Sequence, residues 1–286
     1  MTGRIIIEFE KILLEEKPDL VLVYGDTNTT VAGALASAKL KIPIAHVEAG
    51  IRQQPKDMPE EINRVITDHI SHFLFCPSQL AVRNLKKEGI TKNVYFVGDV
   101  MYDLYLKMKE RFQYEVFEKL NLKENEYILV TLHRDFNVDN SEKLEKILKQ
   151  LQKISKQIEL VFPIHPRTRK RIYEFRFQRF LSGIKVIEPV DYLNFMGLVE
   201  KCQKVITDSG GLQKEAYFSG KRTIVIMPDT GWKELVESGW NKLADENNLF
   251  RIVMDDEKVD YPKNLYGDGT ASDKIIKVIK EFLESR

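Results

Sequence analysis

Short β-branched runs alternate with helical periodicity from one end of this chain to the other, and run after run stops at an acidic, histidine or glycine residue. LVLVYG leads into Asp26, PIAHV into Glu48, YILVTL into His133, ELVFPI into His165, and KVITD into Ser209-Gly210-Gly211. The alternation predicts an α/β protein, parallel sheets wound by crossover helices. In open sheets of this kind ligands bind beyond the carboxyl ends of the strands, so polar groups delivered there by apolar strands mark a site, here one suited to an anion.

Strands are expected near 20–25, 43–48, 72–77, 93–97, 127–132, 158–163, 184–188, 204–207, 222–227 and 249–254. The stretch from Met101 to Glu126 is helical and charge-rich, and no apolar strand precedes Tyr127, so it reads as the connection between two sheets. A chain of 286 residues, 43% hydrophobic, can fill two cores of ordinary size. The expected domains are residues 1–108 and 109–270, with a last helix at 271–286 able to pack on either. The first sheet is then thin, and the chain opens on a helix where a doubly wound domain ordinarily opens on a strand. Material in front of the first domain is therefore expected to be missing.

Charge and composition exclude several classes. With 44 basic against 43 acidic residues, a nucleic-acid or anionic membrane surface would need local clustering, and the one tight basic cluster, Arg167 to Arg171, sits beside the candidate site. No run approaches the ~18 apolar residues of a membrane span. Cys76 and Cys202 lie in apolar patterns and are too few for a disulfide framework, which fits a reducing cytoplasm. No spacing of His, Cys, Asp or Glu suits a metal, and neither a serine nucleophile elbow nor a reactive-cysteine context occurs.

In DSGGLQKEA, after the strand KVIT, Gly210 and Gly211 let backbone N–H groups approach a phosphate, and Glu215 one turn on can accept from ribose hydroxyls. An ordinary glycine-rich turn with a solvated glutamate accounts for the string about equally well. Glu60 and Arg64 are four apart at the start of a helix whose expected apolar face is Ile62, Val65, Ile66 and Ile70, and a surface ion pair explains them cheaply. Glu48 and Asp26 are harder to dismiss, since a carboxylate closing a buried strand needs partners or a role. His46 reads as a hydrogen-bonded core histidine, His165 as a loop histidine with solubilising arginines beyond it. A lone strand-end histidine such as His133 is more often structural than catalytic.

Taken together, GDTNTTVAGALAS, HVEAGIR, MPEEINR, TLHR, PIHPRTRKRI and TDSGGLQKEA, in this order and over essentially the whole chain, resemble the non-hydrolysing UDP-N-acetylglucosamine 2-epimerases. The resemblance implies a glycosyltransferase-B-like fold of two Rossmann-like doubly wound domains, the second holding UDP, the first facing the sugar, and the last helix crossing back to the first. It implies a cytoplasmic homodimer serving cell-surface polysaccharide synthesis, with a UDP-sugar as substrate and no cofactor. Asp26, Glu48 and Glu60 match the family's catalytic carboxylates and His133 its histidine near the diphosphate. Ser209, Gly210, Gly211 and Glu215 match nucleotide-binding positions, Phe195 an aromatic beside the uracil, and Arg64 a further site arginine.

Two departures stand out. The family's opening strand and its GTRPE-like cationic loop have no counterpart here, and at ~30 residues per βα unit on the order of 80 residues are expected to be missing, a separately encoded N-terminal fragment being one source. In MPDTGWKE, Met227 and Gly231 replace an arginine and a glutamate of relatives. A glycosyltransferase of the same fold, or a non-catalytic UDP-sugar-binding protein, are the competing readings; three carboxylates in the first domain favour the epimerase.

Overall fold

A computed structural model describes residues 1–255 and 257–285. The chain falls into two compact units, residues 1–106 with 263–286, and residues 107–262.

The first unit contains strands β1 (Val21–Tyr24), β2 (Ile44–Val47), β3 (Phe73–Cys76) and β4 (Val94–Phe96), all parallel and in the order β1-β2-β3-β4. Its helices are α1 (Thr2–Glu16), α2 (Asn28–Lys39), α3 (Pro59–Ile70), α4 (Gln79–Lys87) and α5 (Val100–Lys109), the last running on into the second unit. Successive strands that always step the same way need crossovers on one face. Strand alternation shows that face directly. Val21, Val23 and Ile44 pack with Leu13 of α1 and Ala34 and Ala36 of α2, while Leu74 and Cys76 meet Ala81 and Leu85 of α4. The intervening residues Ala45, Val47, Phe73 and Phe75 point the other way, onto Ile275, Val278, Ile279 and Phe282 of the C-terminal helix.

The second unit contains β5 (Tyr127–Thr131), β6 (Glu159–Pro163), β7 (Lys185–Ile187), β8 (Lys204–Thr207), β9 (Arg222–Ile226) and β10 (Lys242–Ala244), parallel throughout and ordered β10-β9-β8-β5-β6-β7. Helices α6 (Glu115–Lys119), α7 (Asp135–Val138), α8 (Ser141–Ile154), α9 (Pro166–Glu174), α10 (Tyr192–Lys201), α11 (Gly210–Phe218), α12 (Lys233–Glu237) and α13 (Leu249–Val253) connect them, and α14 (Ala271–Glu284) closes the first unit. The chain winds outward from β5 to β7, then returns to lay β8 against the other side of β5. The order therefore reverses between β5 and β8, and the crevice beyond their carboxyl ends is the favoured ligand position.

One expected strand is corrected. The stretch expected as a strand at 249–254 forms helix α13 over Leu249–Val253, and the sixth strand is the three-residue β10. The run LFRIV sets Leu249 and Val253 four apart, so both drop fully buried into the cluster formed by Ile147, Leu148 and Leu151 of α8.

Candidate active site

At the reversal point of the second sheet lies a cavity of about 460 Å³. It is lined by Thr131, Leu132 and His133 at the carboxyl end of β5, by Pro163, His165 and Pro166 at that of β6, by Phe195 of α10, and by Ser209, Leu212 and Glu215 at the start of and along α11. A buried carboxylate anchors the backbone of one lining residue, His133. Asp208 is fully buried and accepts from the backbone N–H groups of His133 (3.1 Å) and Arg134 (2.9 Å) and from Nδ2 of Asn137 (3.0 Å). That set of donors fixes the chain leaving β5 and sets His133 Nδ1 3.3 Å from Asp208 Oδ1. Burial pushes the His133 ring below its ordinary value; Asp208 opposes this, and Arg134, His165 and Arg167 reinforce it. The ring of His165 lies 5.4 Å from that of His133, and its Nδ1 accepts from Arg167 N–H at 3.1 Å, capping α9. Arg167 and Arg171, expected to be solubilising, both pair with Asp139.

Ser209 caps α11, its hydroxyl accepting from Leu212 N–H. A side chain at Gly210 would meet only Trp232 Nε1, at 3.8 Å, and its φ is not positive, so neither packing nor backbone conformation demands glycine there. What the missing side chain leaves is room beside the helix terminus, where N–H groups and the helix dipole favour an anion. Glu215, one turn on, takes a hydrogen bond from Tyr192.

In the first unit the turns after β1 and β2 run side by side, because Tyr24 pairs with Val47. Gly25 has φ +65°, and a side chain there would meet Glu48 Oε2 at 3.3 Å, so the Glu48 carboxylate rests against the turn that carries Asp26. Asp26 forms an ion pair with Arg64 Nη2, and its carbonyl accepts from Asn63 Nδ2 at 2.8 Å. Arg64 pairs also with Glu61 at 3.1 Å. The expected Glu60–Arg64 surface pair is thus replaced: Glu60 is half-buried in the first turn of α3 and makes no ion pair among the described residues, whereas Arg64 is only 9% exposed.

The expected apolar face of α3 is reversed as well. Its buried residues are Glu61, Asn63, Arg64, Thr67 and Asp68, while Ile62 and Ile66 are exposed. A polar face can be buried when its charged groups find partners, and Asp26, Gly50, His46 and Arg52 supply them. Asp26, Glu48 and Arg64 are accordingly brought together in one unit, and His133, Phe195, Ser209, Gly210 and Glu215 in the other, with Gly211 continuing the first turn of α11.

A family model for UDP-N-acetylglucosamine 2-epimerase matches residues 1–280. The chain belongs to that family. A Methanococcus maripaludis protein described as a UDP-N-acetylglucosamine 2-epimerase homolog is 45% identical over 98% of this chain and 81% of its own length. The UDP-2,3-diacetamido-2,3-dideoxy-D-glucuronate 2-epimerase of Pseudomonas aeruginosa is 41% identical over 99% of this chain and 80% of its own. Among solved structures, the Methanocaldococcus jannaschii UDP-GlcNAc 2-epimerase in complex with UDP-GlcNAc and UDP superposes with a TM-score of 0.87 at 42% identity, covering 98% of this chain and 80% of that one. The fold is therefore the glycosyltransferase-B-like pair of Rossmann-like sheets, and the protein is an epimerase.

In this epimerase the MPDTGWKE segment is held by side-chain contacts. Thr230 Oγ1 donates to Gln213 Oε1 at 2.8 Å, Trp232 Nε1 to the Gly210 carbonyl at 2.8 Å, and Lys214 Nζ lies 3.9 Å from the Trp232 ring centre. A tryptophan thus ties the segment to the glycine turn. Residue patterns miss this contact, because nothing in the local string aims Trp232 at Gly210. Asp208 does carry a signal in the sequence, a carboxylate directly after a buried strand.

Proposed function

We propose that this epimerase inverts carbon 2 of a UDP-linked 2-acetamido sugar, interconverting UDP-N-acetylglucosamine and UDP-N-acetylmannosamine. No carbonyl acidifies the carbon 2 proton, so the route is elimination. A carboxylate removes that proton, the carbon 1–oxygen bond breaks with its electron pair leaving on UDP, and 2-acetamidoglucal remains. Re-addition of UDP with a proton delivered to the opposite face completes the inversion. Acid/base groups are needed at the sugar and positive or N–H groups at the departing diphosphate. Asp26, Glu48 and Glu60 fill the first role, with Arg64 fixing Asp26; His133 and the α11 terminus with Ser209, Gly210 and Gly211 fill the second. Phe195 receives the uracil and Glu215 the ribose.

The observation that carries this reading is the juxtaposition of Asp26 and Glu48 on adjoining turns. A glycosyltransferase needs a nucleotide cavity but not that pair. The 41% identity with the P. aeruginosa enzyme favours a diacetamido uronic acid nucleotide as the second candidate substrate. Both are tested by supplying each UDP-sugar in heavy water and following deuterium at carbon 2. Exchange should proceed in the wild type and drop by about 10²–10⁴-fold in Glu48→Gln and Glu60→Gln; exchange at the wild-type rate in both variants would remove them from the proton step.

The setting we assign is cytoplasmic, supplying a nucleotide sugar for cell-surface polysaccharide, as a homodimer. Exposed Ile62 and Ile66 on α3 support association. So does the open side of edge strand β1, a groove of about 310 Å³ whose lining includes Ile5, Phe9, Val21 and Val23, able to take a strand from a separately encoded N-terminal fragment. Light scattering with and without such a fragment distinguishes the two arrangements.

A further inference from the structure

His46 is fully buried on β2, facing α3, and both its ring nitrogens are engaged. Nε2 lies 2.8 Å from the Gly25 carbonyl, which can only accept, and Nδ1 lies 2.7 Å from Asp68 Oδ1. The other oxygen of Asp68 accepts from Gly50 N–H (3.1 Å) and from Arg52 Nη1 (2.7 Å). Arg52 in turn holds Glu88, at the end of α4, through Nε (2.7 Å) and Nη2 (2.6 Å). Burial alone would raise the Asp68 carboxyl, but His46 and Arg52 outweigh it and hold the group below the ordinary carboxylate range. An ionised Asp68 leaves the imidazole as donor on both sides.

The endpoints of this chain of charges give it meaning. One end is the carbonyl of Gly25, the residue before Asp26; the other is the N–H of Gly50, two residues after Glu48. Glu48 itself has φ +70°, a conformation uncommon for a side-chain-bearing residue and kept only where the surroundings hold it. A core histidine needs only to be satisfied, whereas this one ties the Asp26 turn, the Glu48 turn and α3 to a single point. We propose that the His46–Asp68 pair is a positioning device that holds the carboxylates of Asp26 and Glu48 in working geometry, the imidazole carrying hydrogen on both nitrogens.

The proposal rests on the epimerase reading for its kinetic arm alone, and two measurements need no substrate. In a nitrogen-15 spectrum of the full chain at neutral pH, one of the five histidines should show both ring nitrogens protonated, and that signal should vanish in His46→Gln. In Asp68→Asn, amide exchange at residues 25–28 and 48–51 should quicken about tenfold or more, as loss of a hydrogen bond to a charged group implies, while β5 to β10 keep wild-type protection. Kinetically, His46→Gln and Asp68→Asn should lower kcat about a hundredfold, the scale of a 1 Å misplacement, with KM and UDP affinity within about twofold. A fall in kcat accompanied by an equal loss of UDP affinity would mean a general structural role and overturn the proposal, as would a singly protonated His46 in the wild type. If the variants fail to fold, the wild-type spectrum still decides. If wild-type protein incorporates no deuterium at carbon 2, the functional reading fails by itself, and the spectrum and exchange arms judge the pair separately.

Discussion

Glu215 sits half-buried on α11, and burial pushes its carboxyl above the ordinary glutamate range, against opposing pulls from Tyr192 and Lys214. A carboxylate already stripped of part of its water gains more from ribose hydroxyls than an exposed one. Two hydrogen bonds to a charged acceptor are worth about 2–4 kcal/mol here, so Glu215→Ala should weaken UDP binding by that amount in calorimetry; equal affinities would take Glu215 out of the site. His133 works in the opposite sense. Its ring is held below the ordinary histidine range when UDP is absent, so it is neutral at neutral pH, and an adjacent diphosphate favours the charged ring and raises its pKa. Between the lowered value of the free protein and the raised value of the complex, binding takes up a proton. Affinity should therefore strengthen as pH falls through that window and level off below the free-protein value. The UDP phosphate titrates nearby, so the measurement is the difference in proton uptake between wild type and His133→Asn, obtained in buffers of unlike ionisation enthalpy. No difference would mean the ring does not meet the diphosphate.

At the level of elements, α3 shows how far a sequence carries and where it stops. Its start was legible, since Pro59 suits a first turn and Glu60 and Glu61 follow it. Its orientation was not. Ile62, Val65, Ile66 and Ile70 outweigh the polar residues by hydrophobic pattern, and partners distant in sequence, His46 and Arg52 for Asp68 and Asp26 for Arg64, help make burial of the charged residues favourable. Pattern reports the transfer preference of a side chain, whereas paired burial depends on what the fold sets opposite it. The same limit hid Trp232 over Gly210. Close approach between elements also fixes Gly50, which has φ +81° and where a side chain would meet the Ala81 carbonyl oxygen at 2.4 Å. Left-handed strain and overlap with backbone at the start of α4 add to about 2–4 kcal/mol for Gly50→Ala. Urea unfolding should show the midpoint falling with an unchanged slope; an unmoved midpoint would show that α4 shifts aside without cost.

At the scale of the whole molecule, most strands were legible because apolar runs bounded by polar ends are what parallel strands buried on both faces require. The exception was β10. Lys242–Ala244 holds a single large apolar residue, Leu243, whereas the equally short β4 and β7 hold two or more, and the apolar run at Leu249–Val253 satisfies helix and strand templates alike. What no string of residues could supply was the strand order, and the order is what sets His133 and Ser209 at one crevice although 75 residues separate the backbone N–H of His133 from its acceptor Asp208. This arrangement makes a prediction about ligand protection. Every residue lining the cavity at the β5–β8 reversal belongs to the unit spanning 107–262, and a ligand that binds only the folded state suppresses opening of the segments it touches. UDP alone should slow amide exchange at residues 131–133, 163–166, 192–195 and 209–215. A UDP-linked 2-acetamido sugar should do the same and in addition slow exchange at 25–28 and 48–50, the turns that carry Asp26 and Glu48. Hydrogen-exchange mass spectrometry with the two ligands at equal saturation makes the comparison. If the sugar adds no protection at those turns beyond that of UDP, the two carboxylates do not meet the sugar, and the proton steps must be sought elsewhere in the chain.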